Sequence, residues 1–430
     1  MDILERGGNV DVIYLDFSKA FDKLDFNIVL KKIKAMGIDG KVYNWIKSFL
    51  TDRIQQVSVN GFLSKPANVI SGVPQGSVLG PLLFLILIAD IDEEAANAII
   101  KSFADDTRAA RGIYTEEDIK ILQEELEKIY QWSNINNMEL NDKKFEGMSY
   151  GLNLALKALS SYTTPSGKPV TMKNTVKDLG VLMSDDCRFK EHIDQVIEKA
   201  KNMASWILRT FRTRECRPML LLFKMLVLPI LEYCSVLWSP QDVGSIQKLD
   251  SIQWSFIRKI ESNTESNYWK RLAAMNLYSL QRRRERYRII YIWKVLEGLV
   301  PNVNMKIVPS TNFHARLGRK CQIQNVPNTK LAKSREASLS INGAKLFNIM
   351  PKSVRNLTNV SLSTFKRALD KFLNGVPDEP QIPGYTAHRR ASSNSLLAMI
   401  SENKKSFGSL VFDLENDEQV VGMVTRPIDQ

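Results

Sequence analysis

Residues 10–16, Val-Asp-Val-Ile-Tyr-Leu-Asp, form a short β-branched run that suits a buried strand, with Asp16 emerging at its end. Apolar positions recur at helical spacing over 28–36 and again over 42–50, with Gly37 and Gly40 marking the join, so two helices follow. Residues 56–59 lead into Asn60-Gly61, a hairpin signal, and the return strand is expected through 67–70. The run 78–91 (VLGPLLFLILIADI) is apolar nearly all round. It predicts a deeply buried helix with Pro81 in its first turn, too short to span a membrane. Residues 99–104 and 107–111 predict a hairpin with Asp105 and Asp106 at its tip, and Ile119, Leu122, Leu126, Ile129 and Trp132 mark one face of an amphipathic helix. This alternation of strands and helices is α+β.

Beyond residue 150 the strand pattern thins to 170–172 and 179–182, and helical periodicity takes over. Ile193, Val196, Ala200, Met203 and Ile207 form one stripe, and further helices are expected over 216–236, 243–260 and 279–298. The apolar stretch 219–238 is interrupted by Lys224, Pro229 and Glu232, which marks it as buried helix rather than a membrane span. Between 270 and 297 stand eight basic residues, among them Arg282, Arg283, Arg284, Arg286 and Arg288, against two acids, interleaved with Tyr287, Tyr291 and Trp293. Such a surface suits a phosphate backbone. A solvated basic helix face with its aromatics in the core is the equal alternative. Residues 339–373 return to mixed periodicity, and from about 377 a richer content of Pro, Ser, Asn and charge predicts a linker or flexible tail.

Length and charge then narrow the class. At 430 residues, two to three folding units are expected, and a net charge of +12 favours polyanionic partners such as nucleic acid. The four cysteines are widely spaced with no C-x-x-C pair, and with three histidines they make a poor zinc-ligand set, so a metal would have to be held by oxygen. The opening MDILERGGNVDVIYLD has no positive region leading into an apolar run, so no secretory signal is read and an intracellular protein is expected.

A strand-end aspartate and two adjacent aspartates on a hairpin tip can gather carboxylate oxygens around a divalent metal if the strands are neighbours. Asp-Asp in a turn is by itself an ordinary solvated feature, so the context decides. That context is DFSKAFD at 16–22, SGVPQGSVLGP at 71–81 and FADD at 103–106, three motifs in one order. Together they resemble the reverse transcriptase of non-LTR retrotransposons, of the LINE-like or jockey-like kind. The resemblance implies a right-hand polymerase palm, helices on an antiparallel sheet, followed by a mainly α-helical thumb and a C-terminal region. It implies that Asp16, Asp105 and Asp106 are catalytic and hold two Mg²⁺ ions, or Mn²⁺ in their place. It places Phe17, Phe21, Pro74, Gln75, Gly76 and Lys144 at the substrate. Phe21 matches the aromatic that excludes a 2′-hydroxyl, and Lys144 the lysine near the leaving pyrophosphate.

By the same resemblance the palm with partial fingers covers 1–150, a primer-grip-like connection 151–185 around Val176-Lys177-Asp178-Leu179-Gly180-Val181, the thumb 186–300 and the C-terminal region 301–376, with the tail over 377–430. The implied partners are an RNA template, a DNA primer and deoxynucleoside triphosphates, with action in the nucleus and no membrane. Met1 lies fifteen positions before Asp16, so most of the fingers and the upstream endonuclease of the family are expected to be missing. An RNA-directed DNA polymerase is therefore weighed against an inactive nucleic-acid-binding remnant. An RNA-dependent RNA polymerase or group II intron-type enzyme is a third reading, disfavoured by Phe21 and FADD.

Overall fold

The computed structural model describes residues 2–260, 267–302, 305–310, 318–329, 331–380 and 393–402. The chain divides into two compact units, Met1–Cys187 and Arg188–Gln430. The first is mixed α/β and the second helical.

In the first unit the strands are β1 (Asn9–Leu15), β2 (Ile54–Gln55), β3 (Ser58–Val59), β4 (Phe62–Leu63), β5 (Ala67–Asn68), β6 (Ile99–Phe103), β7 (Asp106–Ile113), β8 (Glu146–Tyr150), β9 (Thr171–Met172), β10 (Thr175–Asp178) and β11 (Val181–Ser184). Five form one sheet in the order β6-β7-β1-β8-β9, antiparallel except for the parallel rung between β8 and β9. Strand alternation sends Ile13, Leu15, Ala109 and Ile113 to a core shared with the helices Phe26–Ala35, Leu79–Ile88 and Glu116–Ile135. Tyr14, Asp16, Asp106 and Arg108 fall to the opposite parity and so to the face that this core leaves open.

Three local expectations change. The Asn60-Gly61 turn, both residues at positive φ, returns at once into β4, and 67–68 pairs with β2 as a second rung lower down. Leu82 and Leu85 in Leu79–Ile88 are each 52% exposed, so this helix is buried on one side only. Leu179 and Gly180, read as strand, are the left-handed turn (φ 44° and 84°) between β10 and β11.

In the second unit, the helix expected over 216–236 is a chain of segments. Cys216–Leu222, Phe223–Val227 and Leu228–Glu232 follow one another before Cys234, at φ 54°, turns the chain into Ser235–Trp238. No helix among the described residues is long and apolar enough to cross a membrane. Helix Leu280–Leu296 joins helix Leu362–Asn374 through Trp293 stacked on Phe365, centroids 4.4 Å apart. Of the segment expected to be a tail, 381–392 and 403–430 lie outside the described residues. Leu396 and Met399 are buried in the core of this unit.

Helix Leu280–Leu296 also corrects the basic surface. Arg282, Arg284 and Arg288 are 0%, 1% and 2% exposed. Arg282 donates to the carbonyls of Val376 and Pro377, Arg284 to Gln281 Oε1, and Arg288 to Ala337 O and Asn342 Oδ1. Arg283 is paired with Glu232 and Arg286 with Asp370. Arg282, Arg284 and Arg288, sealed among carbonyls and polar side chains, cannot reach a phosphate backbone, and the partly exposed Arg283 and Arg286 are held by carboxylates, so most of this stripe is interior structure.

Candidate active site

Two strand ends set the three aspartates. The β1–β7 register runs from Asn9 opposite Ile113 to Leu15 opposite Thr107; continued by one residue it brings Asp16 beside Asp106. Opposed Cα atoms in an antiparallel pair stand about 5 Å apart, so Asp16 and Asp106 are neighbouring positions on adjoining strand ends. Phe103 pairs with Asp106 across a two-residue turn, Ala104-Asp105, in which Ala104 takes a φ of 53°. That conformation costs a non-glycine residue, and it holds Asp105 at the tip next to Asp106.

The electrostatics agree. Partial burial, and then the charges of Asp105 and Asp16, hold the Asp106 carboxyl above its ordinary value, while the Lys144 ammonium pulls it down. Asp16 Oδ2 is sealed from solvent and has an ion pair rather than a directed hydrogen bond: Lys144 Nζ stands 3.0 Å away. This contact, with the charge of Asp16, raises the Lys144 pKa. Lys144 is brought there by backbone pairing. Phe17 bridges Leu140, Asn141 N donates to Asp16 O at 2.8 Å, and a short turn, Asp142–Lys144, follows.

A cavity of about 320 Å³ opens on this face. Asp16, Asp106 and Lys144 line it, together with Lys101, Arg108, Lys143 and Lys177, four basic residues that periodicity alone did not single out. Asp178 at the end of β10 is ion-paired with Arg108, which ties the β10–β11 hairpin to the strand carrying Asp106. The signal for Arg108 was available: it lies two residues beyond Asp106, on the same side of its strand.

The other site residues lie elsewhere. Pro74 and Gln75 line a separate cavity of about 750 Å³ with Asp22 and Arg53, and Gln75 Nε2 donates to Asp22 Oδ1 at 2.9 Å. Gly76 is exposed with open space around it. Gly72 is needed for close approach: its φ is 79° and a Cβ there would meet Asp22 O at 2.6 Å. Phe17, expected at the substrate, is a core residue 6.2 Å from Trp132 ring to ring, because it follows Asp16 and so takes the opposite side of the chain. Phe21 is half-buried on Phe84, centroids 4.8 Å apart.

Carboxylate oxygens are the right donors for a hard divalent cation, and the raised Asp106 pKa marks negative charge that a cation would relieve. The donor chemistry therefore fits. The spacing is looser than a coordination shell: among the described residues no three His, Cys, Asp or Glu side chains converge closely enough to hold an ion.

Residues 3–183 match the family model described as reverse transcriptase (RNA-dependent DNA polymerase). The chain is 25% identical over 268 residues to the RNA-directed DNA polymerase from mobile element jockey of Drosophila melanogaster, covering 57% of this chain and 28% of that protein. It is 25% identical over 308 residues to the probable RNA-directed DNA polymerase from transposon BS of the same fly, covering 65% and 32%. Residues 3–183 thus resemble a reverse transcriptase, and the chain is similar over 57–65% of its length to the polymerases of jockey, BS and the X-element. It spans under one third of the length of these relatives. Among solved structures, apo telomerase from Candida tropicalis aligns over 71% of this chain and 54% of that one, at 12% identity and a TM-score of 0.36.

Proposed function

We propose that the chain is the palm and thumb of an RNA-directed DNA polymerase that adds deoxynucleotides to a DNA primer end on an RNA template. The observation that carries this reading is that Asp16 and the turn bearing Asp105 and Asp106 stand at adjoining strand ends inside the family-matched residues. The first unit serves as palm, with the 151–185 connection gripping the primer end, and the helical unit beyond it serves as thumb.

Asp16, Asp105 and Asp106 would hold the metal. Two magnesium ions bound there would supply Lewis-acid activation of the primer 3′-hydroxyl and neutralise the triphosphate. The chain's own residues do the remaining work. Lys101, Lys143 and Lys177 line the same cavity and offer positive charge to a polyphosphate or a primer backbone. Lys144 carries a proton close to the reacting groups and can give it to the departing pyrophosphate or compensate its charge. Phe21, held on Phe84, serves as the sugar gate, and Gln75 with Asp22 meets the template or nucleotide from the neighbouring cavity.

Primer extension on an RNA template with Mg²⁺ tests the reading, comparing the chain with an Asp105→Ala, Asp106→Ala double variant. Equal extension by both would end it. The looser spacing of the three carboxylates among the described residues favours a second reading, nucleic-acid binding without catalysis. Salt-sensitive binding of the hybrid with no extension by either protein would select it.

A further inference from the structure

We propose that Lys144 is a built-in counter-ion which competes with a divalent cation for Asp16, so that the carboxylates close around a metal only as its ammonium is displaced. The inference rests on the polymerase reading above.

Asp16 Oδ2 is buried, and the cation against it is the Lys144 ammonium at 3.0 Å. A divalent ion bound to the same oxygen would sit about 2.1 Å from it, so the two positive charges would crowd one oxygen and repel. The base of Lys144 is fixed. Ser18 N donates to Glu139 O at 2.7 Å and Asn141 N to Asp16 O at 2.8 Å on one side, and Phe145 is buried in the core on the other. The tip is not fixed in the same way. The Lys144 side chain is 63% exposed against 22% for Asp16, so the ammonium can swing into water while the carboxylate stays.

There is also somewhere for it to go. Asp16 and Lys144 both line a second cavity of about 410 Å³, with Ser18, Lys19, Lys23 and Asn141 on its wall, as well as the cavity that holds Asp106. The pair therefore stands between two spaces, and the exposed ammonium can leave Asp16 toward the second, whose wall also carries the Glu139 carboxylate. Breaking the pair frees the Asp16 oxygen to turn toward Asp106, the convergence that the described carboxylates lack.

The test is a Mn²⁺ titration of the full chain followed by electron paramagnetic resonance of the free ion, without nucleotide or primer. Wild type, Lys144→Met, Lys144→Arg and Asp16→Asn are compared. Removing an exposed ion-pair partner should tighten Mn²⁺ binding about three- to fivefold in Lys144→Met. Lys144→Arg, which keeps the charge, should bind like wild type, and Asp16→Asn should lose the site. Asp16-dependent binding that is no tighter in Lys144→Met overturns the competition and leaves the polymerase reading standing. Absence of any Asp16-dependent binding in wild type and Lys144→Met alike overturns both.

Discussion

Arg108 and Asp178 form an ion pair that joins the strand bearing Asp106 to the turn end of the β10–β11 hairpin. Arg108 stands opposite Tyr14 on β1 and Lys101 on β6, so the sheet fixes its base and the pair fixes the hairpin. Asp178→Ala should raise KM for the primer–template several-fold more than it lowers kcat, because the cavity wall moves and the carboxylates do not. The reversed pair, Arg108→Asp with Asp178→Arg, should recover part of the loss. A double-mutant cycle on stability should return an interaction of about 1 kcal/mol. Strictly additive single changes would show that the two side chains do not work together.

Gly72→Ala should be costly. Its backbone is left-handed and the added carbon would press on Asp22 O, a backbone atom that cannot step aside. A loss of about 1–3 kcal/mol is expected, with displacement of the loop that carries Gln75. Gly76→Ala, left-handed but in open space, should lose about 1 kcal/mol. Urea unfolding of the two variants checks the order, and equal losses would remove the contact with Asp22 as the cause.

The buried arginines make a separate expectation. Arg284→Met strips Asp250 and Glu285 of a positive neighbour in the interior, at a cost of about 3–5 kcal/mol. Equilibrium unfolding reads this directly. Nucleic-acid affinity of the folded fraction should not change, and a fall in affinity with stability intact would return the residue to the surface.

Burial pushes the Asp250 and Glu285 carboxyls up to about 7 each, in both cases against the pull of a nearby arginine. A carboxyl whose pKa is raised by folding holds more protons folded than unfolded, so stability falls as pH rises. The second unit should therefore be firmest below about pH 4 as far as these two groups decide it, and weaken up to about pH 7. Asp250→Asn should flatten this slope in a thermal-midpoint series. A slope unchanged by both Asp250→Asn and Glu285→Gln would assign the pH dependence to other groups.

How much of this could be read along the chain depends on what each element reports locally. β1 and the hairpin bearing Asp105 and Asp106 were legible, since β-branched runs and a two-residue turn announce themselves within a few positions. β8 was not, because Glu-Gly-Met-Ser-Tyr has no β-branched residue and becomes a strand by pairing with β1. The motif names Asp16 and strand alternation from Asp106 names Arg108, but Lys177 lines the same cavity from a hairpin about 70 residues beyond Asp106, which no spacing rule states. The arginine stripe was misread for the same reason. Composition counts charge and is silent on which side of a helix the acids and carbonyls of 337–378 will pack.

The sheet order has a last consequence, in time rather than in place. β6 is an outer strand, paired with β7 alone, while β1 is clasped on both flanks. Asp16 therefore leaves from an inner strand, whereas Asp105 and Asp106 sit on a hairpin whose first arm is an edge of the sheet. Amide protons of β6 should exchange with solvent well ahead of those of β1, and the tip between Phe103 and Asp106 should breathe on its own. The turn that carries Asp105 and Asp106 should therefore open before the strand end that carries Asp16.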